Sequence, residues 1–365
     1  MSVQAVCITA DRREEWNTFV AQEPSFALLQ SWEWGEFKEK LGWKAFRIAV
    51  EEQGQIVAGA QMLVRPVPLG LASVAYVPRG PLGNWLDEEI RPPLLSELQR
   101  VARHHRAVFL RFEPPLLNDP TIGRILGQHR FRASAYTNQP CATIIVDLAQ
   151  GLDDILAHMR RSTRYSIRYA AKQGVTVQAG NVEDLEVFCR LMQITGRRGG
   201  FRPRALNYYR HQWETFAPLG WLRLFVASYQ GKILAMNVST AFGGHAIYLH
   251  GASSGEYSNL TPNHLLLWEA IQWAKAQNCR TYDLWGIPDE VAQAVYKGQG
   301  APVSDRTDGL WGVYRFKSGF SKDIVCYVGA YDQIYSPLLY ALITNKVFNK
   351  DRLDRIAVWM DLQGQ

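Results

Sequence analysis

Cysteine is scarce in this chain, and long apolar runs are absent. Cys7, Cys141, Cys189, Cys279 and Cys326 lie far apart, with no CxxC pair and no histidine at ligand spacing. This argues against a zinc site, and the odd count argues against a disulfide framework. A reducing cytoplasm is the expected setting. No stretch reaches the roughly 18 apolar residues that cross a bilayer, and the opening MSVQAVCITADRREEW has no positive-then-apolar export pattern. Work at the inner face of the membrane stays open. The histidines are scattered, and His104, His105 and His264 read as helix-surface residues rather than acid–base groups. No Ser–His–Asp or Cys–His nucleophile signature is present.

What is present begins with length: 365 residues suit two domains better than one core. Aromatics are plentiful, as core or as stacking surfaces for sugars and bases. Positive charge is concentrated. Between Ile155 and Trp213 stand eleven basic residues, ten of them Arg, against three acidic ones, while the whole chain carries only +6. Such a field draws phosphates, and Arg forks match phosphate oxygens bidentately. Arg160, Arg164, Arg168 and Lys172 recur every four residues, with Arg161 alongside. The spacing predicts one amphipathic basic helix over 152–173, ended by Gly174.

The chain also repeats itself. Residues 46–64 and 222–240 both read strand, Gln-Gly turn, strand, with Gln53-Gly54 answering Gln230-Gly231. A helix precedes each hairpin (11–22 and 183–196). After each come a strand (73–78 and 245–250), an amphipathic helix (92–106 and 264–277) and a buried-type strand (107–113 and 280–286). This order resembles the GNAT N-acyltransferase fold, which implies an α/β (α+β) class with tandem GNAT-like domains, each a mixed sheet flanked by helices. The Gly-rich loop that holds coenzyme A pyrophosphate in that fold has no counterpart in Ala252–Leu265 or Pro78–Leu95. A different acyl carrier is therefore expected, with no cofactor and no metal.

Five stretches resemble the FemABX family of aminoacyltransferases, which build peptide branches and bridges of peptidoglycan. They are Gln30–Lys38 (QSWEWGEFK), Tyr76–Leu82 (YVPRGPL), Arg111–Pro114 (RFEP), Thr195–Phe201 (TGRRGGF) and Gly312–Phe320 (GVYRFKSGF). Glu113 stands where the family commonly has Asp, and Gly199 replaces another Asp. With no long heptad segment, the chain resembles the compact, FemX-like form.

The resemblance implies 1–150 plus 325–365 as a precursor-binding domain and 151–324 as the tRNA and acyl-donor side. It further implies attack by a stem-peptide amine on the ester of an aminoacyl-tRNA. The acceptor is lipid II or UDP-MurNAc-pentapeptide. An ester is already activated, so alignment, a proton route and oxyanion stabilisation suffice. Lys317 is placed near the ester as the first catalytic candidate, and Phe316 beside it suits stacking on the terminal adenine or, equally, core packing. Glu113, at a strand end, is the second, as proton acceptor or as a loop cap. Lys38 and Arg198 are expected at precursor phosphates. Tyr76, Arg79, Tyr248 and Tyr257 are expected to line the cleft, with packing an alternative for the tyrosines. Arg160, Arg161, Arg164, Arg168 and Lys172 would meet tRNA or an anionic membrane. A monomer is expected. Two other readings remain: an acyl-CoA-dependent N-acyltransferase acting on a cell-surface sugar or peptide, and a non-catalytic RNA- or membrane-binding protein.

Overall fold

A computed structural model describes residues 3–23, 27–67, 70–302, 305–306 and 309–344. The chain divides into two compact units, one formed by the chain up to Cys141 with the segment from Tyr327, the other by Ala142–Cys326. The passage between them lies at Cys141–Ala142 rather than after residue 150, because residues 142–147 pair within the second sheet. Of the returning segment expected over 325–365, residues 345–365 lie outside the described residues.

In chain order, unit one contributes β1 (Gln4–Cys7), β2 (Lys44–Glu52), β3 (Gln55–Pro66), β4 (Ser73–Val77), β5 (Leu82–Gly83), β6 (Ala107–Phe112) and β7 (Phe131–Ala133). Unit two contributes β8 (Ala142–Asp147), β9 (Thr176–Ala179), β10 (Leu222–Tyr229), β11 (Lys232–Phe242), β12 (His245–Ser253), β13 (Thr281–Gly286) and β14 (Asp323–Cys326). β15 (Tyr331–Ile334) returns to unit one. The sheets run β1-β2-β3-β4-β6-β15-β7, with β5 on β3, and β9-β10-β11-β12-β13-β8-β14. Each is mixed, since β4–β6 and β12–β13 are parallel and the other pairs antiparallel.

The repeat extends to backbone detail. Gln53-Gly54 and Gln230-Gly231 all have positive φ, the geometry that a tight two-residue hairpin needs. A β-bulge falls between Val50 and Glu51 in one hairpin and between Ala227 and Ser228 in the other. Each unit has its own apolar core. Leu94, Leu98 and Phe112 belong to the first, and Ile271, Tyr282 and Leu284 to the second.

The expected basic helix is two helices, Leu152–His158 and Arg161–Lys172. Met159 and Arg160 between them are extended. Arg164 explains the break: its Nη1 donates to the carbonyls of Ala157 at 2.7 Å and Met159 at 2.6 Å, satisfying acceptors at the first helix end. Arg164 therefore leaves the expected stripe and acts as a cap. Arg160, Arg161, Arg168 and Lys172 stay exposed, while Thr163, Ile167 and Ala170 face the core.

Candidate active site

In unit two the parallel pairing of β12 with β13 runs from His245–Thr281 to Ile247–Asp283. Beyond that point β12 continues along β11, while β13 bulges against β8 between Asp283 and Gly286. The two strands part there. Trp285 takes φ +65°, a costly conformation for a bulky residue. Asp283 holds it by accepting from the Trp285 amide at 2.6 Å, and also accepts from the Thr143 hydroxyl.

Into this parting comes Lys317, the last residue of the helix Trp311–Lys317. Its Nζ donates to the Gly286 carbonyl at 2.8 Å and lies 5.6 Å from the centre of the Tyr248 ring. The side chain is buried. Burial pushes the ammonium down to about 7, and Asp283 pulls the other way. A lysine so placed passes between its two protonation states near neutral pH.

The F-K-x-G-F glycine has a physical cause. A Cβ at Gly319 would collide with the Thr163 hydroxyl, and the Arg160 amide donates to the Gly319 carbonyl at 2.9 Å. The lysine-bearing segment is thereby fastened to the start of the basic helix.

Tyr248 lies over Gly251, where any Cβ would strike its phenol. Burial pushes that phenol up to about 12, and a hydrogen bond with Asn237 lowers it. Asn237 accepts from Ser239, whose hydroxyl meets the Tyr282 phenol at 2.5 Å. Further along β12, Ser253 exchanges backbone hydrogen bonds with the Thr195 hydroxyl and accepts from Arg198 Nη2 at 2.7 Å. Tyr248 and Ser253 are about 16 Å apart along an extended strand. Tyr257 begins the turn after β12, packed on Tyr229 with the Lys232 ammonium 5.6 Å from its ring centre. Phe316 packs edge-on to His264 and Phe320, with centroids 5.0 and 5.2 Å away. His264 is half-buried between these rings rather than a surface residue.

Unit one places its expected residues differently. Tyr76 occupies the same position on β4 as Tyr248 does on β12. Here the parallel pairing holds to Val77–Phe112. The Tyr76 phenol donates to Glu113 at 2.5 Å and receives the Gln139 amide at 3.0 Å. Glu113 also accepts from the backbone amides of Asn138 and Gln139. Both carboxylate oxygens are thus occupied, and burial raises the carboxyl pKa. Glu113 thus anchors the 138–139 loop. Arg79 is buried, with its Nη2 donating to Pro140 O at 2.7 Å and its guanidinium 4.7 Å from the Tyr327 ring centre. Lys38 is buried on the helix Trp32–Glu39, whose N-cap is Ser31, with its Nζ 5.3 Å from the Trp34 ring centre. Tyr76, Arg79 and Glu113 therefore gather in unit one, and Lys317, Phe316 and Tyr248 in unit two.

Sequence reading missed Asp283, Gly286, Thr163 and Ser253. Asp283 left a signal: a carboxylate inside the otherwise apolar run YDLWG. Gly286 left none, because it acts through its carbonyl.

Among the described residues no His, Cys, Asp and Glu group suits a metal ion, and no helix is long and apolar enough to cross a membrane. Residues 12–122 match the FemAB family model, and 157–298 match the acetyltransferase (GNAT) domain model. A lipid II:glycine glycyltransferase of Staphylococcus haemolyticus is 24% identical, covering 90% of this chain and 93% of its own. One from Staphylococcus saprophyticus is 25% identical with the same coverage. A crystal structure of FemX superposes with a TM-score of 0.80 at 23% identity, over 93% of this chain and 99% of that one. A tandem GNAT protein from the clavulanic acid pathway has a TM-score of 0.55 at 12% identity, over 91% and 98%. With the FemAB model on the first repeat, the GNAT model on the second and these relatives along nearly its whole length, the matches support a FemABX-type family member, a transferase on a tandem GNAT-like fold.

Proposed function

We propose that this protein moves an amino acid from aminoacyl-tRNA to a stem-peptide amine of a lipid-linked peptidoglycan precursor. Lys317 carries the reading. It is buried where β12 and β13 part, it is bonded to Gly286, and its proton is loosely held near neutral pH. The stem-peptide nitrogen attacks the ester carbonyl carbon. A C–N bond forms, the bond to the ribose 3′-oxygen breaks, and the nitrogen's proton passes to that oxygen. A lysine near neutrality takes the first proton and returns it to the leaving oxygen, and its charged form steadies the developing oxyanion. Burial thus suits Lys317 to carry a proton as well as a charge.

Arg198, set beside Ser253 and Gly255, suits a phosphate oxygen, and Lys38 suits a second one in unit one. Glu113, Tyr76 and Arg79 shape unit one rather than react. The glycyltransferase names of the relatives favour glycine as the amino acid and lipid II as the acceptor. The setting is the cytoplasmic face of the membrane.

The test mixes purified protein with tRNA charged by labelled amino acids and with lipid II or UDP-MurNAc-pentapeptide. Label should move to lipid II only when charged tRNA is present. Transfer from acetyl-CoA, and none from any charged tRNA, would overturn the reading in favour of an acyl-CoA enzyme.

A further inference from the structure

The helix Arg161–Lys172 has an outer face that the chemistry above leaves unused. Tyr165 is 66% exposed, unusual for a tyrosine, and stacks on Tyr169 with centroids 5.7 Å apart and planes 17° from parallel. Arg161, Arg168 and Lys172 lie on that side at helical spacing and are exposed. No acidic residue occurs between Asp154 and Glu183. A flat aromatic pair framed by cations recognises a π-face carried on a phosphate backbone, the chemistry of an unpaired nucleobase.

The position matters as much as the composition. The Arg160 amide bonds Gly319, Thr163 packs on Gly319, and the Thr261 hydroxyl donates to the Ser166 carbonyl at 2.9 Å. The helix is therefore fastened to the segment that carries Lys317, two residues from Gly319. A membrane is the less suitable partner. Interfacial helices expose Leu, Phe or Trp beside their cations, whereas this helix exposes only Arg161, Ser162, Tyr165, Arg168, Ala171 and Lys172.

We infer that Tyr165, backed by Tyr169, is a stacking platform for an unpaired base of the donor RNA, near the aminoacylated 3′ end. The inference rests on the tRNA-dependent reading and adds a positioning residue to it. Tyr165 reaches the reaction through the RNA.

The experiment measures binding of uncharged tRNA, and of the same tRNA lacking its unpaired 3′ nucleotides, to the wild-type protein, Tyr165→Ala and Tyr165→Phe. Wild type and Tyr165→Phe should bind intact tRNA about 10-fold more tightly than the trimmed form. Tyr165→Ala should bind both forms weakly and alike, with an unchanged melting temperature. In the transfer assay Tyr165→Ala should raise KM for charged tRNA while KM for lipid II stays constant. Unchanged binding of intact tRNA by Tyr165→Ala would overturn the inference. So would a loss confined to phosphatidylglycerol vesicles, which would make this a membrane face. If no charged tRNA serves as donor, the functional reading fails, while the two-tRNA comparison still decides whether Tyr165 stacks on a base.

Discussion

The two units start from one plan and set different groups beside the same tyrosine. Both place a tyrosine at the same point of the central parallel strand, Tyr76 on β4 and Tyr248 on β12. In unit one the strands stay paired to Val77–Phe112, and the strand's own Glu113 binds the tyrosine and closes the 138–139 loop over it. In unit two pairing stops at Ile247–Asp283, and a lysine from a separate helix enters beside the tyrosine. A carboxylate with every oxygen occupied is a structural part. An amine held by one carbonyl in a desolvated site keeps its proton mobile. Duplication supplied two similar sheets, and the length of one strand pairing decides which of them opens.

Lys317→Ala should therefore separate the units most sharply. Transfer should fall about 10²- to 10⁴-fold, the usual contribution of a placed acid–base group. Glu113→Gln should leave transfer per folded molecule within a few-fold. Comparable losses in both would erase the distinction.

Next in size is Asp332→Asn. Asp332 on β15 pairs with Arg111 on β6 at 2.7 Å with both side chains buried, and it also accepts from the Tyr340 phenol. Leaving Arg111 unpaired should cost about 3–5 kcal/mol of stability, read from the denaturation midpoint. The loss should appear in probes of unit one. Tyr76→Phe removes one donor from the buried Glu113 and should cost about 1–3 kcal/mol, again without matching loss of chemistry.

The smallest effect concerns pH and unit two. Burial holds Lys317 near 7 in the folded protein against 10.5 for a free lysine. Between those values the unfolded chain binds the extra proton, so stability rises with pH there and is flat below. From pH 7 to 8 the gain is about 1 kcal/mol. Lys317→Met should remove the slope, which thermal melts across that range would measure.

Much of the frame was legible beforehand because it is written in local chemistry. Gln53-Gly54 and Gln230-Gly231 carry the turn conformation themselves, and apolar alternation fixes the flanking strands. Through its family resemblance GVYRFKSGF also singled out Lys317 as a candidate, and the fold buries that side chain beside Tyr248. What it concealed were tertiary effects. Helical spacing put Arg164 in a stripe with Arg160 and Arg168, but spacing says nothing about the carbonyls of Ala157 and Met159 that bind its guanidinium. The boundary expected at 150 moved because β8 follows unit one in sequence yet pairs with β13. The strand-end position of Glu113 likewise says nothing of the 138–139 amides that bond it, 25 residues away.

The most direct test is the pH dependence of single-turnover transfer from charged tRNA to lipid II, between pH 5.5 and 9, for the wild-type protein and Lys317→Arg. The rate of the wild type should rise through an apparent pKa near 7 and then level as Lys317 becomes free to accept the amine's proton. Lys317→Arg, charged throughout, should be slow and lack that limb. A wild-type rate that is flat across the range, or that falls as pH passes 7, would contradict a proton-carrying Lys317.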